Sequence, residues 1–307
     1  MEFTTNSQIM QDWIKNLRLD GISDKTIRWY GYGLKRFNSY TDKPYDSVTI
    51  NDIKDFITWL KDNGYSTSTQ KGNYTTLKVF FNYLVTNNYI EVNPFNKSKT
   101  PKFSHKQIYS FKTPEIIEIM KSFDKKDFCG YRDYAIFSTL LSTGIRKAEL
   151  VNMKLGDVAY DGVGYFRVVG KGNRTRVVPI GNVLSKILKN YIKRRQKFLA
   201  SKNLPASIYS LWVNNRGEPL TASGVDGIFD RLKQLDYPWS TRVSAHTVRH
   251  TFAVTFLVNG GDVFSLQKIM GHSDISTTKV YIDLKTDYIK RQGDNFNPLD
   301  NTTWRMY

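Results

Sequence analysis

One stretch of the chain limits what it can become more than any other. From Asn96 to Lys112 the residues read Asn-Lys-Ser-Lys-Thr-Pro-Lys-Phe-Ser-His-Lys-Gln-Ile-Tyr-Ser-Phe-Lys, which is basic, weakly periodic and without a single acidic side chain. It follows Asn93-Pro94, where a helical block ends, and leads into Thr113-Pro114-Glu115, where Thr113 is placed to cap another with proline in its first turn. Such a segment reads as a linker between two separately folded units. At 307 residues the chain is long for one domain and comfortable for two. The predicted division is residues 1–95, a linker over 96–112, a second domain over 113–290 and a polar tail over 291–307.

The first block predicts several helices. Ser23 is placed to cap a helix through Trp29, Leu34 and Phe37. Thr49 is placed to cap the next, in which Ile50, Ile53, Ile57 and Leu60 share a face until Gly64 stops it. A third apolar pattern runs through Leu77, Phe80, Phe81 and Leu84.

In the second block, helical patterns run through Met120 and from Tyr131 to Leu141, with Gly144 placed to end the latter. Residues 163–169 and 175–180 predict two strands, and Gly170-Lys171-Gly172-Asn173 between them is turn chemistry, so the pair reads as a β-hairpin. The remainder to about residue 290 is mostly helical. The expected class is therefore mainly α with a small β-sheet: a helical N-terminal domain followed by an α+β domain.

Charge points to the partner. There are 45 Lys and Arg against 28 Asp and Glu, a net +17. So large a one-sign excess fits a polyanion, because neutralising backbone phosphates releases counterions and steers association. Nucleic acid is the first reading, and the linker is then placed to run along a phosphate backbone. An anionic membrane surface is the rival, but no long basic amphipathic helix with an apolar anchor is present. One cysteine, Cys129, excludes an intrachain disulfide and a thiolate metal site. The N-terminal residues Met-Glu-Phe-Thr-Thr-Asn carry no signal-peptide pattern, and no apolar run is long enough to span a bilayer. The expected location is cytoplasmic, with the nucleoid.

Three segments carry the chemistry. They are Ser142-Thr-Gly-Ile-Arg146-Lys-Ala-Glu149-Leu150, then Ala245-His246-Thr-Val-Arg249-His250-Thr-Phe-Ala, then Met270-Gly-His272-Ser-Asp-Ile-Ser-Thr-Thr-Lys-Val-Tyr281. His246 and Arg249 stand three apart on a helical pattern and so share a face. Arg146 follows a glycine helix stop, from which a side chain can project into a cleft. Two guanidinium forks suit the non-bridging oxygens of a phosphate. Phosphoryl transfer needs little beyond positioning, charge stabilisation, a nucleophile and proton management. A tyrosine can supply the nucleophile and hold a covalent phosphodiester. A lysine on a hairpin turn can protonate the leaving oxygen. Lys171 is favoured there by its turn position, with Arg174 and Arg176 as competitors.

Together these strings resemble the tyrosine recombinases, the lambda-integrase-like family, from about residue 6 to about residue 290. The family series of Arg, Lys, His, Arg, His or Trp, and Tyr falls on Arg146, Lys171, His246, Arg249, His272 and Tyr281. The family spacing of nine residues after the Gly-His histidine selects Tyr281 over Tyr288 and over the tail residue Tyr307, among 19 tyrosines. Met270 stands where the family usually has leucine. The resemblance implies a SAM-like N-terminal domain and a catalytic domain closing as a C-shaped clamp on DNA. It implies that Tyr281 attacks the scissile phosphate, leaving a 3′-phosphotyrosyl bond and a 5′-hydroxyl. Arg146 and Arg249, helped by His272, would bind the non-bridging oxygens. Lys171 would protonate the departing oxygen, His246 would take the tyrosine proton and Glu149 would support the site. No cofactor and no metal is implied. His246 and His250, four apart, could hold a metal, but no glutamate follows His246 and no third ligand is evident. His250 is expected to pack or hydrogen-bond beside the site.

The implied activity is site-specific strand exchange between two duplexes through a four-way junction, by a homotetramer on synapsed DNA, for integration or excision of a mobile element. An accessory DNA-bending or directionality factor is compatible with it. Xer-like resolution of replicon dimers is the alternative. A type IB topoisomerase, relaxing supercoils as a monomer, and a non-enzymatic DNA binder on the same scaffold are the rivals from other classes. The chain begins almost directly with the helical block, which leaves no room for a further arm-site domain and favours simple sites. Residues 290–307, with Trp304 and Tyr307 as large anchors on a polar segment, are expected to dock on a neighbouring protomer. Tyr281 is expected to become competent once DNA and neighbours order the Lys171 turn and the tail.

Overall fold

Ser23, Thr49 and Ser66 set the frame of the first unit. Each side-chain oxygen accepts the amide three residues on, from Thr26, Asp52 and Thr69, and so starts a helix where four amides would otherwise lack partners. In the computed structural model, which describes residues 6–96, 101, 103, 109–159, 164–170, 174–205, 208–272, 278 and 281, the chain forms two units, Met1–Gln107 and Ile108–Tyr307. The first holds α1 (Asn6–Leu19), α2 (Asp24–Tyr40), α3 (Ile50–Asp62) and α4 (Thr67–Thr86). Most of the expected apolar positions face inward: Leu34, Ile53, Leu60, Leu77, Phe80, Phe81 and Leu84 are all fully buried, whereas Trp29 is exposed. Gly64, at φ +75°, lies just past the end of α3. Gly33 lets α2 lie against α4, since a Cβ there would sit 2.9 Å from the Thr76 hydroxyl.

The second unit contains α5 (Thr113–Ser122), α6 (Phe128–Thr143), α7 (Lys147–Val151), β1 (Val158–Ala159), β2 (Tyr165–Val169), β3 (Thr175–Pro179), α8 (Asn182–Ser201), α9 (Ala222–Lys233), α10 (Ala245–Val258) and α11 (Val263–Met270). Helix α6 is buried on most sides, with Ala135, Ile136, Phe137 and Leu140 inaccessible, and α8 and α10 pack against it. The three strands form an antiparallel sheet in the order β1-β2-β3. Phe166, Val168 and Val178 point into the core while Val169 and Val177 point out.

Two details differ from expectation. Helix α5 is capped at Lys112 rather than Thr113, because the buried Glu115 carboxylate reaches back to accept the Lys112 amide at 2.7 Å. The sheet has a third strand, β1, whose two residues are too few to carry a period. The Gly170 amide donates to the Arg174 carbonyl at 2.8 Å, closing the hairpin end of β2 and β3.

Candidate active site

Gly144 ends α6 in the left-handed region at φ +59°, and a Cβ on it would meet the Phe252 ring at 2.2 Å. The next residue, Ile145, is fully buried and pins the turn, so Arg146 emerges at the start of α7 with its side chain half exposed. Glu149 holds it from beneath. One carboxylate oxygen accepts the Arg146 backbone amide at 2.8 Å, and the other accepts Nη1 at 3.0 Å. Arg146 Nη2 donates to the Gly271 carbonyl at 2.8 Å, tying α7 to the end of α11. Glu149 also takes a two-pronged ion pair from Arg176 of β3, at 2.9 and 2.7 Å. Burial pushes the Glu149 carboxyl up, but the hydrogen bonds and charges of Arg176 and Arg146 outweigh it and hold it below the ordinary carboxylate value.

Arg249 sits on α10, whose first turn is capped by Ser244. It is buried, at 6% exposure, and donates to the carbonyls of Gly144 and Met270, the latter at 2.9 Å. A third partner, among the described residues, is Nε2 of His272, at 2.9 Å from Nη2. Arginine can only donate, so that imidazole nitrogen accepts, and Nδ1 carries the hydrogen that goes to the Thr278 hydroxyl at 2.9 Å. Burial, then the charge of Arg146, brings the Arg249 guanidinium down to about 10. Burial, then the charges of Arg249, Arg146 and Arg176, brings His272 down to about 4, so it is neutral at pH 7. A buried guanidinium bonded to two carbonyls and an imidazole is charged, with no anion among those partners. Burying such a cation is costly unless an anion meets it.

Tyr281 is buried at 4% exposure among Phe252, Val254, Leu257 and Met270. Its hydroxyl lies 2.8 Å from Nδ1 of His250. The His250 ring in turn meets the His246 ring edge-on, with centroids 4.1 Å apart. Burial pushes the Tyr281 phenol above its ordinary value, offset in part by the charge of Arg249.

The structure thus brings together Arg146, Glu149, Arg249, His272 and Tyr281, with His246 exposed at the first turn of the same helix that carries Arg249. Lys171 lies outside the described residues, as do Trp304, Tyr307 and the rest of the tail. Two contacts were not anticipated, Arg176 on Glu149 and Thr278 on His272, and the hydrogen bond expected of His250 goes to the Tyr281 hydroxyl, the group assigned to His246. A signal for the first exists in β3. Arg176 stands two residues from inward-facing Val178, so strand alternation sends this charge inward and the apolar Val177 outward. Among the described residues, no group of three or more His, Cys, Asp or Glu could hold a metal ion.

Two guanidinium groups, a neutral imidazole and a phenol around one spot suit a phosphate diester and a nucleophile. Comparison with known proteins shows the family. The Phage integrase family model matches residues 107–287, and the phage integrase N-terminal SAM-like domain matches residues 9–91. Tyrosine recombinases XerD of Staphylococcus saprophyticus and Staphylococcus haemolyticus are each 29% identical over 297 residues, covering 94% of this chain and 98% of the relative. Among solved structures, the fold is shared with the Tn1549 transposon integrase in complex with circular intermediate DNA, at TM-score 0.71 and 22% identity over 92% of this chain and 98% of that one. It is shared equally with the XerH site-specific recombinase bound to its difH substrate, at TM-score 0.71 and 20% identity over 94% and 84%. With family models matching both halves and Arg146, Arg249, His272 and Tyr281 gathered in the second of them, the chain belongs to the phage integrase family and is a tyrosine recombinase.

Proposed function

We propose that this recombinase cuts and rejoins double-stranded DNA at two sites, through a 3′-phosphotyrosyl intermediate and a Holliday junction, to integrate or excise a mobile element. The observation that carries the chemistry is Arg249, a buried cation whose described hydrogen-bond partners include no anion. A scissile phosphate between Arg249 and the half-exposed Arg146 supplies that anion. In this reading Tyr281 leaves its His250 contact and attacks phosphorus, and the 5′-oxygen departs with a proton from Lys171. His246 takes the phenol proton, and Glu149 keeps Arg146 in place. His272 gains basicity when the phosphate's negative charge arrives and then donates to it.

The decisive experiment starts from the duplex that the protein selects out of a random-sequence library. A nick beside the scissile position traps the covalent complex. Wild type should accumulate a protein–DNA adduct, and Tyr281→Phe should form none. An adduct that persists in Tyr281→Phe sinks the assignment. Supercoil relaxation measured beside two-site recombination separates recombinase from topoisomerase.

The likeness to XerD over nearly the whole chain favours a second biological reading, Xer-like resolution of replicon dimers. Recombination between two sites on one plasmid and between sites on separate molecules distinguishes the two. In either reading the chain acts on DNA at the nucleoid and assembles as a homotetramer at synapsis. The tail, with Trp304 and Tyr307, is proposed to dock on a neighbouring protomer. An apolar groove of about 510 Å³, lined by Ile116, Leu141, Phe252 and Phe256, has the chemistry to receive such anchors. Unchanged synapsis after deletion of residues 292–307 would remove that proposal.

A further inference from the structure

Arg176 belongs to none of the motifs, yet it touches two of the three segments that carry them. Its Nη1 and Nη2 occupy both oxygens of Glu149, which supports Arg146, and its Nε donates to the Ile269 carbonyl at 2.8 Å, just before His272. The guanidinium also lies flat against Gly271, where a Cβ would fall 2.9 Å from Cζ. Its side chain is only 15% exposed. With all three nitrogens engaged, Arg176 is badly placed to serve as the general acid at the hairpin.

We propose that Arg176 is a positioning residue that keeps Arg146 available to the phosphate by satisfying Glu149 in its place. The inference rests on the reading of Arg146 as a phosphate ligand. Glu149 is buried, so its charge demands donors. With Arg176 present, Arg146 gives the side chain of Glu149 a single Nη1 contact and keeps donors on Nε, Nη1 and Nη2 for substrate. Without Arg176, Glu149 draws the fork of Arg146 onto both its oxygens. Arg146 then turns away from the phosphate with its charge cancelled. The site loses one positive charge, and a second is diverted, although no group that touches substrate has been removed. The same side chain braces the Ile269–Gly271 turn, so His272 shifts with it.

The test uses Arg176→Gln and Arg176→Lys in the full chain, on the nicked duplex selected by wild-type protein, made with either a phosphate or a methylphosphonate at the scissile position. Methylphosphonate replaces one anionic oxygen with methyl, so the reaction needs less positive charge from Arg146. On phosphate, Arg176→Gln should slow covalent-complex formation by about tenfold to a hundredfold, the usual consequence of a small misplacement, while affinity for the un-nicked duplex stays unchanged. On methylphosphonate the gap to wild type should largely close. Arg176→Lys, which keeps the charge but not the fork, should fall between. It also carries the test if the glutamine variant does not fold. Equal slowing on both substrates would mark a merely structural arginine and overturn the proposal, as would a wild-type rate on phosphate. Absence of any adduct from wild-type protein would instead sink the recombinase chemistry, and this inference with it.

Discussion

The hydroxyl of Tyr281 lies 2.8 Å from Nδ1 of His250, one helical turn beyond the histidine that the family motif marks as proton acceptor. Both histidines lie on α10 and their rings touch, so the phenol faces a pair rather than a single base. The inner histidine holds the hydroxyl and the outer one is exposed.

Removing the inner histidine should therefore matter to chemistry. His250→Ala is expected to slow covalent-complex formation by at least about tenfold, because the Tyr281 hydroxyl is no longer held in place before His246 takes its proton, with DNA affinity unchanged. Single-turnover trapping of His250→Ala beside His246→Ala checks this. A faster adduct in His250→Ala would show that the contact restrains Tyr281.

His272 should stay neutral far below the usual histidine range. Its folded value is about 4 against an ordinary 6.5. Between these values the unfolded chain binds a proton that the folded chain refuses, so this group's contribution to stability is full above about pH 6.5 and is lost as pH falls toward 4. Nitrogen-detected NMR of the histidines should show one ring protonated at Nδ1 and titrating near pH 4. A midpoint near 6.5 for His272 would refute the burial argument.

Glu149 anchors two arginines from within the core. Glu149→Ala should cost roughly 3–5 kcal/mol in chemical denaturation, because it strands buried positive charge. Glu149→Gln keeps the volume and should cost less. An alanine variant as stable as wild type would mean that the carboxylate is not the site's anchor.

Gly144 has no tolerance for a side chain. Gly144→Ala places a Cβ 2.2 Å from the Phe252 ring in a backbone region that disfavours it. A loss of more than about 1 kcal/mol is expected from backbone strain and overpacking together. Arg146 follows two residues later, so adduct formation should slow as well. Thermal melts and trapping on the same preparation test both, and a neutral melt would contradict the geometry.

Local spacing already determined a good deal. A three-residue step places His246 and Arg249 on one face of α10 whatever surrounds them. A glycine after Leu140-Leu-Ser-Thr stops α6 and releases Arg146. The hairpin follows from turn chemistry between two short β-rich runs. Serine and threonine caps fixed where α2 and α3 begin, and one-residue errors such as that at Lys112 arise where a buried acid reaches back from the third position.

What only the tertiary structure decided are partnerships between segments far apart in the chain. Arg176 and Glu149 are separated by the β1–β2 region, and the period of β3 turns Arg176 inward without naming Glu149 as its partner. His246 and His250 are equivalent by spacing, and which of them meets Tyr281 depends on how residue 281 packs against α10. Periodicity fixes the face a side chain points from. The partner it finds is set by long-range packing, where burial turns an ordinary arginine and an ordinary histidine into the groups that hold the site.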